Sequence, residues 1–424
     1  MFRDNRWLCL TFALFCLLAM PGRKVQGCPF CSTQGQTLSG EVSQADFIVL
    51  GRMTNAQRDL NDLTKGTTEL IIDSVIKPHP YLVGRKSLQI PRYVAPSKEQ
   101  TQYLVFCSLY TRLAEFPATA IASAAILGNY QFAQLDPYRG EPVPPDSRMA
   151  EYLKGAIAVR DADPVKRLRF FFEYLDASDL VISTDALMEF GNSDYKEVRQ
   201  LAANLPAERI LGWLTDPNTP PSRLGLYGLL IGHCGKPADA IKIRAILDDP
   251  NRMYSSGLDG IIAGYIMLDR KAGWEYLLGL LKDTKKDFPV RYAGLKVLRF
   301  FWEYRPDIIE PAEVLEAMKI LVAQPDIADL PIEDLRKWGR WELADYILQF
   351  DEKESHHKIP IVRRAILRYA LSVPGNNPRA AAYVAAARKS DPERVEFVEQ
   401  MLKEEQPRPA TTATGGRAAP SGGS

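Results

Sequence analysis

The chain has 424 residues, of which 46% are hydrophobic and 25% charged, a globular composition with enough length for two or three domains. Its 53 Lys and Arg residues against 52 Asp and Glu residues leave a net charge of +1. This balance argues against a dedicated nucleic-acid binder and against a polybasic membrane-surface protein. Only four His residues occur, which argues against a multi-histidine metal centre. We therefore expect no cofactor, no bound metal and no nucleic acid.

Residues 1–27 have the pattern of a secretory signal peptide. Arg3 and Arg6 precede an apolar run at 7–20, which is shorter than the roughly 20 residues of a membrane span. Small residues near position 27 predict cleavage before Cys28. We expect an exported protein, periplasmic or extracellular, with no integral membrane span after cleavage. Because residues 25–28 also resemble a lipoprotein box, a lipid anchor at Cys28 is an alternative.

Four cysteines remain after this cleavage: Cys28, Cys31, Cys107 and Cys234. An oxidising compartment permits disulfides, and four cysteines allow three full pairings that the sequence leaves open. The Cys-x-x-Cys spacing at 28–31 favours a disulfide that anchors the N-terminus. A redox pair would need a thioredoxin-like context and a zinc site would need further ligands, and the sequence supplies neither.

Residues 28–140 predict a small antiparallel β-barrel or sandwich, because short β-branched segments alternate with turn residues. The five predicted strands are Ala45–Met53, Thr67–Ile76, Lys86–Ile90, Gln102–Tyr110 and Asn129–Leu135.

This region resembles the netrin-like domains, which include the tissue inhibitors of metalloproteinases. The similar motifs are Cys28-Pro29-Phe30-Cys31, Ala45-Asp46-Phe47-Ile48-Val49, Val75-Ile76-Lys77 and Tyr103-Leu104-Val105-Phe106. The resemblance implies a five-stranded barrel of the oligonucleotide/oligosaccharide-binding (OB) type, crossed by the N-terminal segment. It also implies a disulfide from Cys28 or Cys31 to Cys107, with Cys234 free. A local Cys28–Cys31 bridge is the rival pairing.

A proline-rich stretch at 141–148 predicts a linker, and residues 149–405 have helical periodicity. We expect helices at 165–175, 308–322 and 338–350. Asp163-Pro164 and Glu310-Pro311 are typical helix starts. Residues 406–424 are rich in Pro, Ala, Thr, Gly and Ser and predict a disordered tail.

The helical region repeats with a period of 33–34 residues, which predicts an α-solenoid. Two sets of residues recur with this period. The apolar set is Leu224, Leu258 and Tyr292. The acidic set, whose members each follow an apolar helical segment, is Asp216, Asp249 and Asp283. Segments 194–202, 289–295 and 360–367 resemble the first helix of HEAT-type repeats, with a Val-Arg pair and a nearby Ala. The resemblance implies that each Arg extends to an acid in a neighbouring repeat. Tetratricopeptide repeats are the alternative.

The candidate binding surface is Arg336, Trp338, Arg340 and Trp341, where tryptophans alternate with arginines as in interaction hot spots. The competing interpretation is that both tryptophans pack in the core. His233-Cys234 predicts a buried thiol beside a capping turn, and His356-His357 predicts a surface loop.

The sequence contains no catalytic motif, so we expect a non-enzymatic, exported binding or scaffold protein that recognises a protein partner through its helical surface. The alternative is a thiol-dependent redox or metal-handling protein that works through Cys28 and Cys31.

Overall fold

The structure is a computed structural model that describes residues 28–31, 35–60, 62, 65–95, 101–110, 134–250 and 256–405. The predicted signal peptide, the predicted tail at 406–424 and most of the predicted strand at 129–135 lie outside these residues. Two compact units divide the chain between Gly264 and Tyr265. We call them the N-terminal unit and the C-terminal unit and describe each by itself.

The N-terminal unit contains a five-stranded antiparallel sheet in the order β3-β2-β1-β4-β5. The strands are β1 (Phe47–Arg58), β2 (Gly66–Lys77), β3 (Ser87–Ile90), β4 (Gln102–Tyr110) and β5 (Gln134–Val143). An antiparallel β region followed by helices is therefore confirmed. Alternating side chains such as Val49, Leu70 and Val105 form a buried core on one face of the sheet.

The last strand corrects the sequence prediction. We expected a strand at 129–135 and a linker from 141, whereas β5 runs from Gln134 to Val143. Pro137 and Pro142 lie within it and pair with β4. Proline lacks a backbone N–H and is tolerated in an edge strand, and β5 is an edge strand of this sheet. The prolines were therefore wrongly interpreted as the end of the β region.

The described residues contain 18 α-helices, and one of them, α1 (Leu38–Gln44), precedes the sheet. The others of the N-terminal unit are α2 (Met149–Val159), α3 (Pro164–Phe172), α4 (Leu180–Asn192), α5 (Tyr195–Ala202), α6 (Ala207–Thr215), α7 (Pro221–Cys234), α8 (Ala240–Asp248) and most of α9 (Leu258–Leu268). The C-terminal unit continues with α10 (Arg270–Lys282), α11 (Phe288–Tyr304), α12 (Pro311–Val322), α13 (Asp329–Lys337), α14 (Ala344–Leu348), α15 (Glu354–His357), α16 (Pro360–Ser372), α17 (Pro378–Ser390) and α18 (Pro392–Glu405). None of the described helices combines the length and apolarity that a bilayer crossing requires.

Helix boundaries follow the local sequence signals. Asp163 caps α3 by accepting a hydrogen bond from the Val165 amide at 2.9 Å, and Pro164 is the first helical residue. The three acids that carry the repeat period each lie directly after a helix, and they are Asp216, Asp249 and Asp283. The prediction that these acids mark helix ends is confirmed.

The predicted helix at 338–350 is wrong in its first half. Helix α13 ends at Lys337, and Gly339 takes a left-handed conformation with φ of 65°. The Arg340 amide donates to the Leu335 carbonyl at 3.0 Å and the Gly339 amide to the Arg336 carbonyl at 3.1 Å. This pattern is a Schellman motif, which ends a helix at a glycine. A 3₁₀ turn at Trp341–Leu343 and the short α14 follow.

The disulfide also differs from the pairing that the netrin-like resemblance implies. Cys28 and Cys31 form a local disulfide, with 5.5 Å between their Cα atoms, while Cys107 and Cys234 are free thiols. Cys107 points into the sheet core, opposite Phe47 of β1. The physical reason is the course of the N-terminal segment, which packs against helices α4 and α7 instead of that core.

In the C-terminal unit, polar contacts join residues about 35 positions apart. The Arg291 guanidinium donates to the Asp326 carboxylate at 3.0 Å, and Arg299 pairs with Asp334 at 2.7 Å. Arg291 thus reaches an acid one period further on. His356 makes another contact at this spacing, since its Nε2 lies 3.0 Å from the Val322 carbonyl. His356 is 1% exposed, so the predicted surface loop is wrong at this position.

Candidate functional site

Three side chains of the C-terminal unit form an aromatic cluster: Trp302, Trp338 and Arg340. Trp302 and Trp338 stack with ring centroids 4.4 Å apart and planes 14° from parallel. The Arg340 guanidinium carbon lies 5.5 Å from the Trp302 ring centroid. All three residues are half-buried, as is the neighbouring Trp341. Two of the four predicted binding residues are therefore brought together, and Trp302 is the member that sequence analysis missed.

Helix α11 presents Trp302 on its solvent-facing stripe. The residues between Arg291 and Phe301 are mostly buried, whereas Tyr292, Lys296 and Arg299 are half-buried and Phe288 is 43% exposed. These positions are three or four apart, which is the spacing of one helix face. Phe288 stacks on Tyr292 with centroids 5.9 Å apart. An aromatic and cationic stripe at this spacing is the sequence signal that predicts Trp302.

The Schellman turn after α13 positions the other half of the cluster. Trp338 is the cap residue of α13, and the turn at Gly339 returns the chain so that Arg340 lies beside it. The Arg340 Nε donates to the Trp338 carbonyl at 3.1 Å, and the Tyr369 hydroxyl donates to the Arg340 carbonyl. Trp341 meets the Tyr369 ring edge-on at 5.5 Å. Hydrogen bonds to backbone carbonyls thus fix Arg340, and the Tyr369 ring packs against Trp341.

Arg336 lies outside the aromatic cluster. Residues two apart on a helix do not face each other, so Arg336 and Trp338 leave α13 in different directions. The Arg336 side chain is 9% exposed, and it pairs with Glu333 at 2.9 Å and with Glu405 at 2.7 Å. Arg368 of α16 also pairs with Glu405, at 2.9 Å. Arg336 therefore joins helices within the unit.

Two acids near the cluster have basic partners. Asp334 accepts a hydrogen bond from Arg299, while burial raises the pKa of its carboxyl above the ordinary value. The exposed Glu342 lies 3.8 Å from Arg340. Flat tryptophan faces beside a guanidinium bind by stacking and by displacing water, which is the composition of interaction hot spots.

The cysteines offer no reactive thiolate among the described residues. Cys28 is 1% exposed, Cys31 is 9% exposed, and the two form a disulfide. Burial raises the pKa of Cys107 to about 12 and that of Cys234 to about 11. The Cys234 thiol donates to the Leu230 carbonyl at 3.2 Å at a helix end, as predicted, but Cys234 is half-buried rather than buried.

Two further features bear on ligand binding: metal-ligating side chains and a cavity beside the sheet. The part of the chain that the structure describes holds no group of three His, Cys, Asp or Glu side chains suited to a metal ion. A cavity of about 830 Å³ beside the sheet is lined by Arg52, Asp73, Gln102 and residues 142–145. Arg52 pairs with Asp73 at 2.9 Å and Gln102 donates to Asp73 at 3.0 Å. The polar side chains of Arg52, Asp73 and Gln102 are thus paired with one another.

Comparison with protein-family models, with curated protein sequences and with solved structures gives no match to this chain. The netrin-like and HEAT-like resemblances therefore rest on the sequence motifs alone.

Proposed function

We propose that this chain is an exported, non-enzymatic binding or scaffold protein and that its partner, another protein, docks on the aromatic cluster. The observation that carries the proposal is the half-exposed stack of Trp302 on Trp338 with Arg340 beside it. Trp and Arg dominate the energetically important residues of protein interfaces. The pattern of residues 1–27 supports export.

The architecture that we propose is a closed netrin-like barrel followed by a HEAT-like α-solenoid. The sheet order β3-β2-β1-β4-β5 supports the first part, because β3 and β5 are the strands that closure would bring together. The contacts between residues about 35 apart support the second part, since stacked repeats contact their neighbours at one period. Such repeats offer long helical surfaces for binding.

A thiol-dependent activity is less well supported by the geometry. Thiol–disulfide exchange requires an attacking thiolate to reach a disulfide sulfur. Cys28 and Cys31 are nearly or fully buried, which denies that access. We therefore interpret the disulfide as an anchor of the N-terminal segment.

The test is affinity capture from extracytoplasmic extract with the full mature chain, quantified by mass spectrometry. We expect at least one protein to be retained by the wild type and lost about tenfold or more with Trp338→Ala/Arg340→Ala, because the double change removes a stacked ring and a guanidinium.

The matched control is Arg388→Ala/Phe397→Ala, which removes an exposed arginine and a phenylalanine that is 57% exposed elsewhere in the same unit. The control should retain the protein at the wild-type level. If no protein distinguishes the two double variants, the aromatic cluster is not the partner site.

A further inference from the structure

The last described helix ends close to the aromatic cluster. Glu405, the final residue of α18, accepts hydrogen bonds from Arg336 at 2.7 Å and from Arg368 at 2.9 Å. Arg336 and Trp338 are both at the end of α13, on different sides of it. Lys337 lies exposed between them, and its charge acts on both Asp334 and Glu405. The chain therefore leaves α18 about one helix width from the tryptophans.

The residues that follow have the chemistry to bind tryptophan faces. The sequence continues Gln406-Pro407-Arg408-Pro409-Ala410. Proline-rich segments dock on aromatic grooves, because the extended polyproline conformation exposes flat apolar rings at little entropic cost. The arginine between the two prolines matches the exposed carboxylate of Glu342 at the edge of the cluster.

The distance fits the length of this segment. A helix with its side chains is about 10 Å wide, and a polyproline segment rises about 3.1 Å per residue. Crossing α13 from Glu405 thus takes about three or four residues, so that Pro407 would lie along the crossing and Arg408 and Pro409 would reach the cluster.

We propose that residues 406–410 cross α13 and dock on the aromatic cluster as an intramolecular competitor of the protein partner. This inference rests on the proposed function for the partner, but docking of the segment itself does not. A short tether gives an effective concentration of the order of millimolar, so even a segment that binds weakly occupies the surface most of the time. The apparent affinity of the partner then falls by about tenfold.

The experiment uses the full chain with a photo-crosslinking amino acid in place of the exposed Lys337. We expect crosslinks to peptides within 406–424, with a yield that is constant over a tenfold dilution. The yield should fall at least about fivefold with Pro407→Ala/Pro409→Ala. The same crosslinker at the exposed Lys389 on α17 is the control and should give less than about a tenth of the yield.

Three results overturn the docking. They are equal yields from the two positions, a yield that the proline changes leave unaltered, and a yield that falls on dilution, which would assign the contact to a second copy of the chain.

Partner capture separates this inference from the proposed function. If the docking of the segment and the partner site are both correct, Pro407→Ala/Pro409→Ala raises capture of the partner about tenfold at limiting partner concentration. If capture depends on Trp338 but the crosslink is missing, docking of the segment is wrong and the partner site stands. If the crosslink forms but Trp338→Ala/Arg340→Ala leaves capture unchanged, the docking stands and the partner site is wrong.

Discussion

The candidate functional groups of the two units differ in how far they are exposed. In the N-terminal unit, three groups with potential chemistry are buried: the hydrogen-bonded Asp185, the Cys28–Cys31 disulfide and the free thiol of Cys107. In the C-terminal unit, a stacked pair of tryptophans and an arginine are half-exposed. A buried carboxylate or thiol that is fully partnered is explained by the fold itself. A half-exposed tryptophan stack is not explained in this way, so it identifies the surface to test.

Asp185 shows how the N-terminal unit uses a carboxylate. It accepts hydrogen bonds from the Leu38 amide at 2.6 Å, the Ser39 hydroxyl at 3.1 Å and the Tyr152 hydroxyl at 2.7 Å. Gly35 and Asn192 exchange two further bonds nearby. These bonds fasten α1 and the residues before it to α2 and α4. The carboxylate thus positions the N-terminal segment.

The largest effect that we expect concerns backbone packing in the N-terminal unit. Gly225 and Gly228 of α7 lie against Gly260 and Gly264 of α9 so closely that a Cβ at Gly260 would strike the Gly225 carbonyl. Backbone atoms cannot move aside as a side chain does. Gly260→Leu should therefore cost more than about 4 kcal/mol of unfolding free energy, or prevent folding.

Gly212 of α6 provides the matched control, since a Cβ there meets nothing within 4 Å. Gly212→Ala should gain up to about 1 kcal/mol, because alanine is the better helix former. Chemical unfolding followed by circular dichroism measures both changes. A Gly260→Leu protein as stable as the wild type would show that α7 and α9 are not in backbone contact.

The second expected effect concerns the carboxylate that fastens the N-terminal segment. Asp185→Ala leaves two buried donors and one half-buried donor without an acceptor and should cost about 2–3 kcal/mol of unfolding free energy. The exposed Asp161 serves as control, because its ion pair with Arg160 is a surface contact and Asp161→Ala should change little. Equal stabilities of the two variants would contradict a fastening role for Asp185.

The buried carboxyls at this site make the unfolding free energy depend on pH in a defined direction. Burial raises the pKa of Asp185, although its hydrogen-bond donors oppose the shift, and burial together with the Asp185 charge raises the pKa of Glu189. The folded state therefore holds these protons more tightly than the unfolded chain. Their contribution to stability is complete below the unfolded pKa of about 4 and is lost as pH rises through the folded pKa values.

The variant Glu189→Gln removes one of these titrations. Between pH 4 and neutral pH, the unfolding free energy of the wild type should fall relative to that of Glu189→Gln. Urea unfolding at several pH values measures the difference. A difference that grows in favour of the wild type toward neutral pH would reverse the assigned direction of the Glu189 shift.

The sequence predicted the elements better than their contacts. The predicted strand Gln102–Tyr110 matches β4, and the Asp and Pro signals at 163–164 start α3. Periodicity and capping are local properties that a single segment displays. The extension of β5 to Val143 was not predicted, because the tolerance of an edge strand for proline depends on its neighbours and not on the segment alone.

The candidate site was predicted in part. Trp338, Arg340 and Trp341 are close in sequence, so their composition was visible, and the turn at Gly339 explains why Arg340 lies beside Trp338. Trp302 lies a period away and joins them only through the packing of α11 near α13. The predicted disulfide pairing was wrong for a similar reason. Which face the N-terminal segment covers depends on the helices that carry Asp185 and Gly225, and no residue near Cys28 encodes that choice.

The smallest expected effect is the absence of thiol chemistry in the folded N-terminal unit. Burial raises the pKa of Cys107 to about 12 and of Cys234 to about 11, so at pH 8 only about one thiol in a thousand or fewer is ionised. Iodoacetamide at pH 8 should therefore label both at least about a hundredfold more slowly in the folded protein than in urea. Peptide mapping resolves the two sites, and Cys28 with Cys31 should appear as one linked peptide until a reductant is added. Rapid labelling of folded Cys234 would show that the end of α7 opens to solvent. The N-terminal unit would then also present an accessible functional group, as the C-terminal unit does.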